Sequence, residues 1–177
     1  KYGSDALGGV LHLHTKTPTE KQKTKRTFYQ QFSSVNNGVS SHFDISWSKG
    51  KWAFLSGLSL RKNNNLKMGK NRLHKYQYWG LEDHVTKGAE QLYTSYGQID
   101  IIQKILLHAN KNLHFLLNTQ YSSTSDINRF DKLNDLVNNN KKYEQWFYGP
   151  QKRILNSIST KYKKKTTFFD DINSLFS

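Results

Sequence analysis

Cysteine is absent from the 177 residues, which excludes disulfides and thiolate metal sites. Proline occurs twice and methionine once. No run approaches the ~18 apolar residues of a membrane-spanning helix. No secretory leader pattern opens the chain, although a missing leader says nothing about destination in an internal piece. Apolar residues make up 35%, against the ~45–50% of an ordinary soluble domain, and mean hydropathy is −0.81. A chain of this kind buries only a small core by itself. Phosphate-binding glycine loops are missing too, because Gly8-Gly9 lacks the spacing and the following helix of a dinucleotide site. No Ser, His and Asp grouping carries a nucleophile motif. We therefore expect no enzyme, assign no catalytic residue and expect no cofactor.

Acidic residues are scarce: 13 Asp and Glu stand against 27 Lys and Arg, for a net charge of +14 and a pI near 9.8. That balance suits nucleic acid, anionic lipid head groups or acidic substrates. It suits equally a chain whose lysines fill turns and solvated faces. Aromatic residues, by contrast, reach 14%, which argues against disorder. Many polar residues together with many rings fit a water-lined membrane barrel, whose inner face is polar and whose outer band is girdled by aromatics.

The organisation is that of strands. Thr27 to Val35 is β-prone, and Asn36-Asn37-Gly38 marks a hairpin. Val39, Ser41, Phe43, Ile45 and Trp47 alternate with Ser40, His42, Asp44, Ser46 and Ser48, giving one apolar and one hydrophilic face. Lys49-Gly50-Lys51 turns the chain into a strand of Trp52, Phe54, Leu58 and Leu60, with Ser56 interrupting the apolar face. Residues Lys62 to Gly97 form a long loop, the alternation returns at Gln98, and Asn110-Lys111-Asn112 is a tight turn. A second polar loop runs from Ser122 to Glu144. Trp146-Phe147-Tyr148 opens a further strand, broken by Gly149-Pro150, where a missing amide donor predicts a bulge or an edge. Lys163-Lys164-Lys165 turns the chain again, and Thr166 to Phe169 begins one more strand.

The first sixteen residues bear a family resemblance. Tyr2-Gly3, a small or polar pair, Ala6-Leu7, Gly8-Gly9-Val10, alternating aliphatics and Thr15-Lys16 resemble the end of the plug domain of TonB-dependent outer-membrane receptors. His12 stands where Asn is common and His14 where a further aliphatic is usual. The Trp-Phe-Tyr-Gly-Pro-Gln-Lys-Arg segment at 146–153 resembles a barrel strand of Bacteroidetes-type members. The resemblance implies an all-β chain: the C-terminal end of a plug at 1–18, a linker leading into the first strand at 19–26, and an antiparallel meander at 27–177 forming the first part of a transmembrane β-barrel. It implies an internal piece of a larger receptor in a Gram-negative outer membrane. The whole protein would import a scarce nutrient such as an iron chelate (siderophore), haem, cobalamin or a glycan, energised by the TonB complex through a region absent here.

Connection lengths bear on this independently. If the first strand rises from the periplasm, the connections at 49–51, 110–112 and 163–165 are periplasmic and short, while both long loops fall on the cell surface, as expected of such barrels; only the first surface connection, at 36–38, departs by being short. Phe43, Ile45, Leu58, Ile105, Leu117 and Ile158 are then expected to face lipid, and His42, Asp44, Asn118 and Gln120 the lumen. Trp47, Trp52, Tyr121, Trp146 and Tyr162 fall near strand ends, as interfacial girdles require.

Ligand contacts are expected in the first long loop, where Lys67, Lys70, Arg72, His74 and Lys75 precede Tyr76, Tyr78 and Trp79. Cations beside flat rings attract an anion and stack on a conjugated group. The same lysines suit lipopolysaccharide phosphates. Tyr2, Gly3, Gly8 and Gly9 are assigned structural roles in the plug motif. His12 with His14, and Glu82, Asp83 and His84, carry metal-ligating atoms, but we read the first pair as polar lumen positions and the second group as a solvated loop, so no metal site is assigned. The alternative is a basic, β-rich nucleic-acid-binding module with lysines on phosphates and rings on bases; it leaves the plug motif and the loop parity unexplained, so nucleic acid is not the expected partner.

Overall fold

The computed structural model describes residues 14–69, 86–165 and 167–177. Five strands are long: β2 at Gly38–Lys49, β3 at Trp52–Asn63, β7 at Tyr96–His108, β8 at Leu113–Thr124 and β13 at Lys152–Lys163. With β1 (Lys25–Ser33) and β14 (Asp171–Phe176) they form one antiparallel sheet in the order β1-β2-β3-β7-β8-β13-β14. Each long strand has 12 or 13 residues, more than the ~9–11 that cross a bilayer when tilted. The sheet is an open meander; its first and last strands are not paired with each other. Among the described residues no helix is long and apolar enough to cross a membrane.

Turn chemistry sets the register. Gly50, at φ 60°, supplies the left-handed backbone that a two-residue hairpin needs at its first position, and Lys49 pairs with Trp52 across it. Between β7 and β8, Asn110 Oδ1 accepts the amides of Asn112 and Leu113 at 2.9 and 3.0 Å, a side-chain turn that closes the chain on itself. The first hairpin is wider than Asn36-Asn37-Gly38 suggests. Ser33 pairs with Gly38, so the turn is residues 34–37, with Asn37 at φ 45°. Asn36 Oδ1 accepts the Gly38 amide at 3.0 Å, and the amides of Asn64 and Lys67 bond to the carbonyls of Asn36 and Val35. This turn is thereby stitched to the root of the first long loop.

Both long loops leave the sheet at the same end, because antiparallel connections alternate. The first contains a small sheet in which β4 (Leu66–Lys67) and β5 (Thr86–Lys87) flank β6 (Glu90–Gln91). The second holds β9 (Ile127–Asn128), a short helix α1 (Phe130–Leu133), and the ribbon β10 (Leu136–Val137) with β11 (Asn140–Lys141).

Two expectations are corrected here. Phe147–Tyr148 does not open the strand after the loop; as β12 it pairs with β9, and the sheet strand starts only at Lys152. Pro150 lacks an amide and restricts Gly149, so the ladder cannot run through 149–150, and Trp146 meets Tyr143 edge to face at 4.4 Å within the loop. The last strand is Asp171–Phe176 rather than a segment starting at 166–169. Its register sets Ile172 opposite Tyr162 and Phe176 opposite Ile158, matching apolar side chains across the pair.

The sheet has two unlike faces. Phe28, Phe43, Leu58, Ile101, Tyr121 and Ile154 lie in one cross-strand row. Trp47, Phe54, Ile105, Leu117, Ile158 and Phe176 lie in another on the same face. Phe43, Leu58, Ile101, Leu117 and Ile158 are exposed. Between these rows run Ile45, Ser56, Gln103, Thr119 and Asn156, where the Ser56 hydroxyl donates to Gln103 Oε1 at 2.5 Å. The opposite face carries His42, Asp44, Leu55, Gly57, Lys104, Asn118 and Gln120. It is the covered face: Ala53, Leu55, Asp44, Ser46 and Lys104 are buried.

Candidate functional site

The covering layer is residues 14–22, which cross the polar face ahead of β1. Lys104 extends from mid-β7 into that layer, where its ammonium donates to Thr15 Oγ1, the Lys16 carbonyl and the Thr15 carbonyl at 2.7, 2.8 and 3.2 Å. Lys16 Nζ reaches back to Asp44 Oδ2 at 2.6 Å. His42 Nε2 is 3.1 Å from the same oxygen, and its Nδ1 is 2.8 Å from Ser59 Oγ. Further along, Gln22 Nε2 donates to Ser46 Oγ at 2.6 Å and Ser48 Oγ to the Gln22 carbonyl at 3.1 Å. Buried charges need such partners. Gly57, between Asp44 and Ile102 in the register, leaves room for the Ile102 side chain on this face, since a Cβ there would stand 2.8 Å from Ile102 Cγ2 and 3.7 Å from Asp44 Cβ. A cleft of about 370 Å³ remains at this layer, between His14, Lys16, His42, Asp44 and Ile102.

A second, larger cleft of about 750 Å³ opens at the loop end of the same face, lined by Tyr96, Gln98, Asp100, Ser122, Ile127 and Arg153 among others. Gln98 Nε2 lies 3.0 Å from both carboxylate oxygens of Asp100, and Ser122 Oγ donates to Oδ1. The carboxylate is thus held on one side, while Arg153, exposed and opposite Ser122 in the register, is in no ion pair among the described residues. A cleft offering a fixed carboxylate, a guanidinium, amides and a phenol can orient a polar ligand through directional bonds.

Of the residues singled out in the sequence, Arg72, His74, Tyr76, Tyr78 and Trp79 lie outside the described residues, as do Tyr2, Gly3, Gly8, Gly9, His12, Glu82, Asp83 and His84. What the structure gives is the base of their loop. β4 and β5 both pair with β6, so the chain leaves and re-enters two strand spacings apart, about 10 Å, at the end where the 750 Å³ cleft opens. Asn65 Oδ1 anchors that base by accepting the amides of Thr94 and Ser95 at 3.1 and 3.2 Å. The second loop is braced by Arg129, whose Nε and Nη2 meet Asp131 at 2.7 and 2.5 Å and whose Nη1 donates to the Tyr148 hydroxyl at 2.7 Å. These bonds bring the exposed Asp131 carboxyl down to about 2, against a smaller opposing effect of desolvation.

Sequence reasoning missed the Asp100–Arg153 cleft, whose members come from four strands, and a cluster of Glu20, His108 and His114 at the opposite end of the sheet. The second had a local signal: two histidines six apart on either side of a tight turn stand opposite each other in a hairpin. No family model, curated protein or solved structure matches this chain.

Proposed function

We propose that this chain is the last plug segment and the first barrel strands of a TonB-dependent outer-membrane receptor, serving energy-coupled uptake of a scarce nutrient. One observation supports this above the others: the sheet is inverted relative to a water-soluble domain. Its apolar face is open, while the face carrying Asp44 and Lys104 is buried under the chain's own preceding residues. An exposed apolar patch of this extent calls for a partner or a membrane. A polar face packed on a preceding segment is what a plugged lumen requires.

The loop parity points the same way. The three connections at one end span only 50–51, 109–112 and 164–170, whereas both long loops lie at the other end, beside the turn at 34–37. At the short end, Trp47 stacks on Phe54 at 5.0 Å, with Trp52 6.4 Å beyond, an aromatic cluster at the depth of an interfacial girdle. Under this reading the substrate enters past the long loops. The 750 Å³ cleft and the loop bearing Arg72 to Trp79 would then be the first surfaces it meets. An anionic iron chelate or haem suits them better than a neutral glycan, with lipopolysaccharide phosphates as competitors for the loop lysines.

The test is cysteine labelling in the complete receptor in native outer membranes. Ile158→Cys should resist an aqueous maleimide, and Asn118→Cys, next to the Leu117 that pairs with Ile158 but on the opposite face, should react. Equal reaction at both positions overturns the membrane reading.

A further inference from the structure

We propose that Glu20, His108 and His114 form a binding site for a divalent transition metal of zinc's class, which clamps residues 14–22 onto the sheet. His108 ends β7 and His114 follows at the start of β8, directly opposite in the register. Their rings meet edge to face with centroids 4.5 Å apart. Glu20 comes from the covering segment, and its Oε1 lies 2.5 Å from His108 Nδ1. One ligand atom from each of the three lies within 4.8 Å of the others. Ligands on a tetrahedral zinc ion stand about 3.3 Å apart, so side-chain rotations within this cluster suffice to close it.

The state of the nitrogens is what points to a metal. His108 Nδ1 and Nε2 and His114 Nδ1 are shut off from solvent and make no hydrogen bond. The close approach of Glu20 to His108 Nδ1 is a contact without hydrogen-bond geometry. Buried imidazole nitrogens normally have partners; a metal ion uses the nitrogen lone pairs and the carboxylate together. Two imidazoles and one carboxylate suit borderline metals such as Zn²⁺ and disfavour Ca²⁺ or Mg²⁺, which take oxygen ligands. Lys21, Lys51 and Lys111 line the same cleft of about 470 Å³, and their positive charge weakens any cation held by charge alone. Three protein ligands leave a coordination position open to the cleft.

The site joins residues 88 and 94 positions apart in sequence. It therefore ties the covering segment to the sheet at the short-turn end, away from the Lys16–Asp44 pair. It does not depend on the membrane reading.

The experiment is calorimetric titration of the untagged full chain with Zn²⁺, repeated with Mg²⁺ and Ca²⁺, on wild type, Glu20→Gln and His114→Ala. His114→Ala leaves the Glu20–His108 contact in place, so it separates metal ligation from that contact. One equivalent of Zn²⁺ should bind at micromolar or tighter affinity, neither hard cation should compete, and each variant should lose at least tenfold. X-ray absorption of the bound zinc should show two imidazoles. Zinc should raise the melting temperature of wild type and leave that of His114→Ala unchanged, by linkage. Absence of one-equivalent binding, or affinity unchanged in His114→Ala, overturns the proposal and leaves Glu20–His108 as a side-chain contact alone.

Discussion

Lys16 and Asp44 meet at 2.6 Å, although their side chains differ tenfold in exposure, 64% against 6%. Removing either partner therefore has unequal consequences. Lys16→Met leaves a buried carboxylate with His42 and Thr27 but no fixed cation beside it, at an expected cost of ~1–3 kcal/mol. Asp44→Asn leaves an ammonium that water reaches freely, and should cost under ~1 kcal/mol. Hydrogen exchange of the amides at 15–22 reads the difference directly: Lys16→Met should speed it more than Asp44→Asn.

Gly57 is held to glycine by Ile102. A Cβ 2.8 Å from Ile102 Cγ2 forces the Ile102 side chain or its strand to shift, so Gly57→Ala should destabilise by ~1–3 kcal/mol in chemical unfolding. In an Ile102→Ala background the same change should cost markedly less, and the double-mutant cycle gives the coupling. An additive cycle would place the strain elsewhere.

The Arg129–Asp131 pair makes a pH prediction. The Asp131 carboxyl sits at about 2 when folded against 3.8 unperturbed. Since its pKa is lowered on folding, its contribution is present above 3.8 and is lost as pH falls toward 2. The carboxyl carbon resonance should titrate near 2, and Arg129→Gln should return the midpoint toward 3.8 while freeing the Tyr148 hydroxyl.

The open apolar face predicts a depth-dependent penalty in lipid. Leu58→Arg, placed mid-strand among Phe43 and Ile101, should lower the unfolding free energy of the complete receptor in vesicles by ~2–4 kcal/mol. Gln120→Arg, on the other face, should be close to neutral. Equal effects would argue that the two faces share one environment.

The sequence by itself determined the strands, their facing and most turns. The alternation from Val39 to Trp47, Gly50 between Lys49 and Lys51, and Asn110 before Asn112 are local signals, and strand periodicity and turn geometry act over a few residues. That is why the alternation from Val39, the strand from Trp52, its return at Gln98 and the turn at Asn110–Asn112 agree with the sheet strands to within a few residues. Locality also explains the failures at Trp146–Tyr148 and Thr166–Phe169, where β-prone composition was present but the pairing partner, β9 in one case and the Ile158–Tyr162 register in the other, lay elsewhere in the chain.

Only the tertiary structure decided what covers the polar face and what meets at its ends. Nothing in the neighbourhood of Lys104 announces that its acceptors are Thr15 and Lys16, 89 and 88 residues away, or that Glu20 comes to rest on His108 and His114. A buried ammonium, an unpartnered imidazole nitrogen and a cleft between Asp100 and Arg153 are properties of juxtaposition. They arise when a segment with no strand pattern of its own is laid across a sheet, and desolvation then selects which polar atoms must find one another.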